Sequence, residues 1–359
     1  MTHRPPSALA LSLALSLAAT TLAAPAALAT GGGVGPVPGA TQPAPATPAR
    51  PASSSDTPTT IIVQLEDGTV AIPRSRRAFG LSTQNTHDEM RARIAAAVEG
   101  VAPGAKVTTV RDYTHALDGF AIEAPASALS TIQQVEGVKA AFIEGTHKPM
   151  GSTAEGSGAP VLANASSLAM TRANQATQKG DGQVIEIIDS GLQTDHDAFS
   201  GSMDGVDVRM SQADAQALTG ILPHGGAGTY LNSKIPFAYD YADNDANVVP
   251  TSTKDMSHGT HVAAIAAANG GEIRGTAPNA QIIVAKVVHD ADGVMDDSAL
   301  LAALDDALVI KPDVINISLG DDAGMSSDAG SIFAGVYEKL TDAGITVNAA
   351  AGNAFSNAY

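Results

Sequence analysis

The alternation of apolar runs and helical patterns after residue 181 constrains the fold of this chain most. The apolar runs are Val184–Ile188, Ile282–Val288, Val314–Ile317 and Ile345–Ala350. The helical patterns are His258–Asn269, Ser298–Ile310 and Ser331–Ala343. Strands that are apolar throughout are typical of a parallel sheet with helices on both faces. We therefore predict an α/β fold with a doubly wound parallel sheet, functional residues at the carboxyl ends of its strands, and surface loops over residues 193–250.

The segment before this domain has a different pattern, in which strands and helices follow one another as β-α-β-β-α-β. The predicted elements are Ile61–Leu65, His87–Val98, Val107–Tyr113, Gly119–Glu123, Pro125–Val135 and Val138–Ile143. This order is that of a small ferredoxin-like domain. We expect a separate α+β domain over residues 59–148, ahead of the α/β domain at 161–359.

The first 29 residues have the pattern of a secretory signal peptide. His3 and Arg4 precede the apolar run Ala8–Leu22, and Ala27-Leu28-Ala29 forms a small-x-small cleavage site. Two segments poor in large apolar residues, 30–58 and 149–160, are predicted to be linkers, and the second is where a protease would cut. No later run approaches the ~18 apolar residues of a membrane span. We expect an exported protein.

Charge and cysteine content exclude several classes of function. Residues 151–359 carry 26 acidic and 9 basic side chains, so the formal net charge of −17 lies wholly in this part. Such acidity argues against nucleic acid or an anionic membrane as a partner. The chain has no cysteine, which excludes disulfides, thiolate metal sites and a cysteine nucleophile.

Three polar residues stand where strands end or helices begin. Asp189 follows the first apolar run, and a carboxylate there can orient an imidazole and stabilise its protonated form. His258 opens an Ala-rich helix and could exchange a proton near neutral pH. Asn353 follows the last run, where its carboxamide could donate to an oxyanion, while Ala351 and Gly352 leave room for a substrate side chain. Each residue alone would more often have a structural role.

Together these motifs resemble the subtilisin family of serine proteases. The shared motifs, in order, are Asp189-Ser190-Gly191, His258-Gly259-Thr260-His261-Val262, Ser318-Leu319-Gly320 and Ala350-Ala351-Gly352-Asn353. The resemblance implies that Asp189 and His258 are the catalytic acid and base and that Asn353 is the oxyanion donor. It also implies that Ser318, Leu319 and Gly320 form the strand edge that pairs with an extended peptide substrate, with Ala351 and Gly352 also at the substrate site.

The resemblance extends to residues 59–148, which are similar to the inhibitory propeptides of this family. It implies that this segment assists folding, occupies the cleft with its tail and is then removed. Loops such as 194–199 and 235–245 look most like the lactocepin-type cell-envelope proteinases, which implies a secreted protein associated with the cell wall.

Two departures from the family pattern limit what this chain can do alone. A Gly-Thr-Ser-Met-Ala segment does not occur in these 359 residues, so the expected nucleophile is missing and we expect a C-terminally truncated fragment. Glu186 stands in the middle of an apolar strand, where a carboxylate is costly unless it is paired. The alternative to an endopeptidase precursor is a non-catalytic product that acts as a propeptide-like inhibitor or peptide-binding module.

Metal binding is a further alternative at two places. His258 and His261 are spaced i, i+3, but the His-Glu-x-x-His pattern of zinc peptidases is missing. The acidic pairs Asp243/Asp245 and Asp290/Asp292 could ligate calcium, although they lack EF-hand spacing and are more typical of solvated loops. No cofactor follows from the sequence with certainty.

Overall fold

The computed structural model describes residues 57–66, 76–149, 168–251, 257–320 and 326–351, with the side chains of 76–85 and 148–149 excepted. The strands are β1 (Pro58–Leu65), β2 (Thr108–Tyr113), β3 (Gly119–Pro125), β4 (Val138–Ile143), β5 (Thr146–Pro149), β6 (Val184–Asp189), β7 (Phe237–Asp240), β8 (Gln281–Lys286), β9 (Met295–Asp296), β10 (Val314–Ile317), β11 (Leu319–Gly320) and β12 (Thr346–Ala349). The α-helices are α1 (Arg76–Val101), α2 (Leu129–Ile132), α3 (Gln212–Thr219), α4 (His258–Ala267), α5 (Asp297–Ile310) and α6 (Ser327–Asp342). The predicted signal peptide, nearly all of the predicted 30–58 linker, residues 150–160, Gly352 and Asn353 lie outside the described residues.

The first sheet is antiparallel, with strand order β2-β3-β1-β4. Its inner face packs on α1 and α2 around a core that includes Ile61, Ile94 and Phe120. Gly119 is needed here because a Cβ atom at this position would lie 2.0 Å from the carbonyl oxygen of Val63 on the neighbouring strand. The predicted ferredoxin-like order of strands is thus confirmed.

Two helices of this sheet differ from the prediction. Helix α1 begins at Arg76, well before the expected His87, and Ile94 and Val98, which indicated the helix in the sequence, pack in the core against the sheet. The expected helix Pro125–Val135 is instead a 3-10 turn at Ala126–Ala128 followed by the single turn α2.

The second sheet has five parallel strands in the order β12-β10-β6-β8-β7. Helix α4 packs on one face, and α5 and α6 pack on the other. The α/β class and the parallel sheet agree with the prediction. The chain leaves β6 towards β7 on one side and later returns to β10 on the other, so the carboxyl end of β6 lies at a topological switch point, where clefts form in such sheets.

Residues 193–250 are not surface loops throughout, and that prediction is wrong. They contain α3 and the fully buried strand β7 at the edge of the parallel sheet. A four-residue strand between Pro236 and an Asp-rich segment is too short to produce a periodic pattern. Helix α6 likewise begins four residues before the predicted Ser331, because the side chain of Ser326 caps it by accepting a hydrogen bond from the amide of Ala329.

A third, small sheet joins the two halves of the described chain and was not predicted. Strand β5, which directly follows the first sheet, lies between β11 and β9 and is antiparallel to both. None of the helices in the described part of the chain has the length and apolarity to cross a membrane.

Candidate active site

Asp189 is the last residue of β6 and lies at the switch point of the parallel sheet. Its side chain is buried, with 1% of its surface exposed. One carboxylate oxygen, Oδ1, accepts a hydrogen bond from the amide of Ser190 at 2.7 Å. Burial and this hydrogen bond hold the carboxylate in one orientation.

His258 is the first residue of α4, and its ring faces Asp189. The Nδ1 atom lies 2.8 Å from Oδ1 and 3.1 Å from Oδ2 of Asp189. The ring is partly exposed, with 16% of the side-chain surface accessible, whereas the carboxylate is buried. The arrangement therefore has a buried acid and a partly exposed imidazole that the acid orients.

Gly259 allows the close approach of α4 to β6. A Cβ atom at this position would lie 2.2 Å from the carbonyl oxygen of Gly191 and 3.1 Å from Oδ1 of Asp189. The amide of Gly259 donates to Oγ of Ser190 at 3.0 Å, which ties the helix start to the strand end. The His-Gly pair of the sequence motif thus has a steric reason.

Three predicted substrate-binding residues follow β10 at the same edge of the sheet as Asp189. Leu319 and Gly320 form β11 and pair with Pro149 and Lys148 of β5, and the hydroxyl of Ser318 accepts a hydrogen bond from Nδ2 of Asn316. Ile317 aligns with Ile188 on one side and with Ala349 on the other, so β11 follows from the same edge of the sheet as Asp189.

The other predicted site residues are only partly described. Ala351 follows β12 at this edge and is exposed. Gly352 and Asn353 lie outside the described residues, so the oxyanion role of Asn353 stays a prediction.

Helix α5 carries a buried carboxylate that holds a loop of the first sheet, a contact that sequence reasoning missed. Asp305 Oδ1 accepts hydrogen bonds from the amides of His115 at 2.7 Å and Ala116 at 2.6 Å, and the amide of Thr114 lies 3.3 Å from both oxygens. Burial acts to raise the pKa of this carboxyl, but hydrogen bonds from His115 and His224 outweigh it and hold the pKa well below its usual range. The first sheet is thereby attached to α5 through a charged acceptor.

Lys286, at the end of β8 and opposite Asp189 in the sheet register, occupies a cage of carboxylates. Its Nζ atom contacts Asp240 and lies 3.3 Å from Asp243 and 3.2 Å from Asp290. Burial acts to lower the pKa of this ammonium group, but hydrogen bonds to Asp240 and Asp290 raise it above its ordinary value.

Two of the four predicted calcium ligands thus meet at this cage. Asp243, Asp290 and Asp240 are the group in the described chain whose oxygens lie close enough to share an ion, within 4.8 Å of one another. The other two candidates point elsewhere, since Asp245 accepts from the amide of Asn247 and Asp292 from that of Val294.

Glu186 lies in the middle of β6 and is fully buried. Neither of its carboxylate oxygens has a hydrogen-bond partner among the described residues. Burial, together with the nearby carboxylate of Asp306, raises the pKa of Glu186 to about 8. The carboxyl is therefore mostly protonated at pH 7, which avoids the cost of burying a charge there.

Comparisons with known proteins find similar chains among proteinases. A PI-type proteinase of Lactococcus lactis subsp. cremoris is 31% identical over 280 residues, which cover 74% of this chain and 14% of that protein. Subtilisin-like protease SBT4.6 of Arabidopsis thaliana is 29% identical over 181 residues, which cover 47% of this chain and 24% of that protein. Among solved structures, the epidermin leader peptide processing serine protease EpiP from Staphylococcus aureus aligns at 13% identity with a TM-score of 0.48, over 83% of this chain and 60% of that one.

The chain therefore spans about one seventh of the length of the Lactococcus proteinase. The subtilase family profile matches residues 180–358, which include β6, α4 and the edge formed by β11. With this match and the Lactococcus relative, the chain belongs to the subtilase family, in the branch of the lactococcal cell-envelope proteinases.

Proposed function

We propose that this chain is the N-terminal part of the precursor of a secreted serine endopeptidase. The observation that carries the proposal is the 2.8 Å contact between Nδ1 of His258 and a buried Asp189 at the switch point of the sheet. An acid held behind an imidazole in this way is the arrangement that activates a serine hydroxyl. The serine would come from chain that follows residue 359.

The roles of Asp189 and His258 follow from the ring nitrogen of His258 that faces Asp189. With Nδ1 donating to Asp189, the other ring nitrogen of His258 is the one that takes the proton of the serine hydroxyl as the oxygen attacks the peptide carbonyl. The same nitrogen returns the proton to the leaving amine, and water then hydrolyses the acyl-enzyme by the reverse order of steps. Asp189 stabilises the imidazolium that forms between these steps.

Stabilisation of the oxyanion is assigned to Asn353. The sequence Ala351-Gly352-Asn353 follows β12, which ends at the same edge of the sheet as β6. In a subtilisin, removal of one such donor lowers turnover by about 10²–10³-fold. An Asn353→Ala variant of the complete enzyme should show a loss of that size.

We further propose that residues 59–148 are an inhibitory propeptide. Its support is the position of β5, which continues directly from the first sheet and pairs with Leu319 and Gly320. Pairing of an extended peptide with an exposed strand is a common mode of peptide recognition. A peptide substrate would take the place of β5 after the precursor is cut in the 149–160 segment.

Secretion and association with the cell wall belong to the same proposal. They rest on the signal-peptide pattern of residues 1–29 and on the similarity to the Lactococcus proteinase. N-terminal sequencing of material exported by the native host would locate both cleavage sites. An N-terminus that remains at Met1 in the exported protein would contradict the signal peptide.

The central experiment compares two proteins with a serine-directed fluorophosphonate. The 359-residue chain should neither be labelled nor hydrolyse peptides, whereas the same chain extended to include a Gly-Thr-Ser segment should be labelled at that serine. A His258→Ala variant of the extended protein serves as the control and should lose labelling. Strong labelling of the 359-residue chain, or none of the extended protein, contradicts the proposal.

The second candidate is a non-catalytic inhibitor or peptide-binding protein. The observation that favours it is again the position of β5 between β9 and β11. These two strands can bind an extended segment between them, and such binding does not require a catalytic serine. Slow, tight inhibition of an added subtilisin by the 359-residue chain would support this candidate. Absence of inhibition, together with labelling of the extended protein, would favour the endopeptidase.

A further inference from the structure

We propose that Asp297 forms a side-chain subsite for a basic residue of an extended peptide, and that His147 fills this subsite in the present chain. The inference rests on the proposed function, because it takes β5 as occupying the place of a substrate strand. It adds a chemical preference, for an imidazole, ammonium or guanidinium group, that nothing in the catalytic pair requires.

The backbone of β5 defines the position of the subsite. Thr146 and His147 align with Asp296 and Met295 of β9, while the next two residues align with β11. Side chains alternate along such a strand, and Thr146 is exposed where His147 is buried. His147 is therefore the side chain that this strand directs into the protein.

Asp297 binds this segment twice. Its Oδ1 atom lies 2.7 Å from Nε2 of His147, and its Oδ2 atom accepts a hydrogen bond from the amide of Gly145 at 2.8 Å. Only 6% of the His147 side chain and 3% of the Asp297 side chain are exposed. One carboxylate thus contacts the backbone of the bound strand at one residue and the side chain two residues later.

The charges around the subsite favour a basic occupant. Among the described residues the ion-pair partner of Asp297 is His147, whereas the neighbouring carboxylate of Asp296 is paired with His289, 2.9 Å from its Nε2 atom. A buried carboxylate needs a donor or an opposite charge, and leaving it without one is costly. An apolar side chain at position 147 would remove that donor, and an acidic one would place two carboxylates together.

The test uses the full 359-residue chain, with hydrogen exchange of the amides of residues 144–147 as the readout. His147→Lys should keep protection within about threefold of the wild type, whereas His147→Leu and His147→Glu should lose about tenfold or more, the size expected for a buried charge-assisted hydrogen bond. The matched control is Thr146→Lys and Thr146→Glu, which change an exposed neighbour on the same strand and should alter protection by less than about threefold.

The same series in an Asp297→Asn background separates selection by charge from simple packing. There the advantage of Lys over Leu at position 147 should disappear. Unchanged amide protection in β6 and β8 shows that each variant is folded. If Leu protects as well as His with the Asp297 carboxylate present, or if Lys keeps its advantage in the Asp297→Asn background, the inference is wrong.

A second measurement does not depend on whether the variants at position 147 fold, because it varies the peptide substrate instead. In the extended protein, kcat/KM for peptides with Lys or His at the position equivalent to His147 should exceed that for Leu by about tenfold, and Asp297→Asn should remove the difference. The hydrogen-exchange test needs no hydrolysis, so the two proposals can fail separately. An extended protein without peptidase activity would contradict the proposed function. An active enzyme with no preference for a basic residue at this position would contradict the subsite alone.

Discussion

The Nδ1 atom of His258 lies 2.8 Å from Oδ1 of Asp189, although the two residues are 69 positions apart in the chain. One of them ends the central strand β6 and the other begins helix α4. The contact therefore depends on how closely that helix start can approach the strand end. Both the chemistry and the local packing of this site follow from the same geometry.

Replacement of the buried acid should reduce catalysis without unfolding the protein. We expect Asp189→Asn in the extended enzyme to lower kcat by about 10⁴-fold, because an amide neither fixes the required tautomer nor stabilises the imidazolium. Steady-state hydrolysis of a peptide substrate measures this loss. Asp195→Asn, which changes an exposed carboxylate in the next loop, is the control. A loss below about tenfold in Asp189→Asn would argue against its assignment as the catalytic acid.

Replacement of Gly259 should break the same contact by steric means. The new methyl group of Gly259→Ala would lie 2.2 Å from the carbonyl oxygen of Gly191, so the helix start must move away from the strand. We expect the free energy of unfolding to fall by about 1–3 kcal/mol or more, measured by denaturant titration. Gly335→Ala is the control, because its Cβ would meet no atom within 4 Å and should stabilise α6 by up to about 1 kcal/mol. Equal effects of the two substitutions would contradict the steric explanation.

The sequence predicted the parts of the fold that follow from local patterns. Strand β10 was predicted at its observed bounds, and β6 within one residue, because buried parallel strands are continuous apolar runs. Strand β10 has only four residues but is apolar almost throughout, whereas β5 (Thr146–Pro149) has no apolar run, and β7 (Phe237–Asp240) lies in an Asp-rich segment. Both of these strands were therefore missed.

At the site, too, the sequence predicted the residues that belong to local motifs and missed those that depend on distant parts of the chain. Asp189 and His258 could be predicted because a motif places each at the end of an element. The roles of Asp297 and Asp305 depend on a strand and a loop that lie 150 or more positions earlier in the chain. One signal was visible, since Asp305 and Asp306 interrupt an otherwise apolar helix. Their partners could not be inferred from spacing.

The buried carboxyl of Glu186 should make stability depend on pH. Burial and Asp306 raise its pKa from 4.5 to about 8, so the folded state holds this proton more tightly than the unfolded chain does. The contribution is fully present below pH 4.5 and is lost as the pH rises towards 8. We expect Glu186→Gln, which stays neutral, to exceed the wild type in stability by roughly a few kcal/mol at pH 8 and to match it near pH 4.5.

Denaturant titrations at about pH 5, 6.5 and 8 measure this difference. Glu338→Gln removes an exposed carboxylate from α6 and is the matched control, for which no pH-dependent difference from the wild type is expected. If the wild type and Glu186→Gln lose stability in parallel across this range, Glu186 is ionised in the folded protein and the raised pKa assigned to it is wrong.

Removal of Asp305 should loosen the attachment of the first sheet to α5. In Asp305→Ala the amides of Thr114, His115 and Ala116 lose their acceptor, and the amide of Ala116, which is buried, would be left unsatisfied at a cost of about 1–3 kcal/mol. Hydrogen exchange of these amides should rise by about 10²-fold. Asp328→Ala removes a carboxylate that accepts a hydrogen bond from Nε2 of Gln133, the residue after α2, and should leave the exchange of residues 114–116 unchanged.

The same carboxyl sets the pH range over which this attachment holds. Because hydrogen bonds from His115 and His224 outweigh burial, the pKa of Asp305 is lower in the folded state than in the unfolded chain. Its contribution is therefore present above the ordinary aspartate pKa and is lost only as the pH falls below that value towards the lowered one. Slow exchange of residues 114–116 should persist at about pH 5, and fast exchange at that pH would contradict this assignment.

Lys286 should determine whether the carboxylate cage at the end of β8 binds a metal ion. In the wild type its ammonium group lies among Asp240, Asp243 and Asp290, whose oxygens are within 4.8 Å of one another. In Lys286→Met the carboxylates of Asp240 and Asp290 lose their counter-charge, while Asp243 keeps its ion pair with His289. We expect the chain without divalent ions to be about 3–5 kcal/mol less stable. Carboxylate oxygens at this spacing are suitable calcium ligands, so millimolar Ca²⁺ should restore part of that stability.

Thermal unfolding with EDTA and with Ca²⁺ tests whether Ca²⁺ can replace the ammonium group of Lys286. Ca²⁺ should raise the Tm of Lys286→Met, and adding Asp240→Asn to that variant should reduce the increase, because one ligand is lost. Lys339→Met, on the exposed face of α6, is the control and should respond to Ca²⁺ as the wild type does. The opposite outcome would be that Ca²⁺ raises the Tm of a chain that still has Lys286 and that Asp240→Asn abolishes this rise. In that case the cage binds the ion beside the ammonium group. The lysine would then be a neighbour of the metal instead of its substitute.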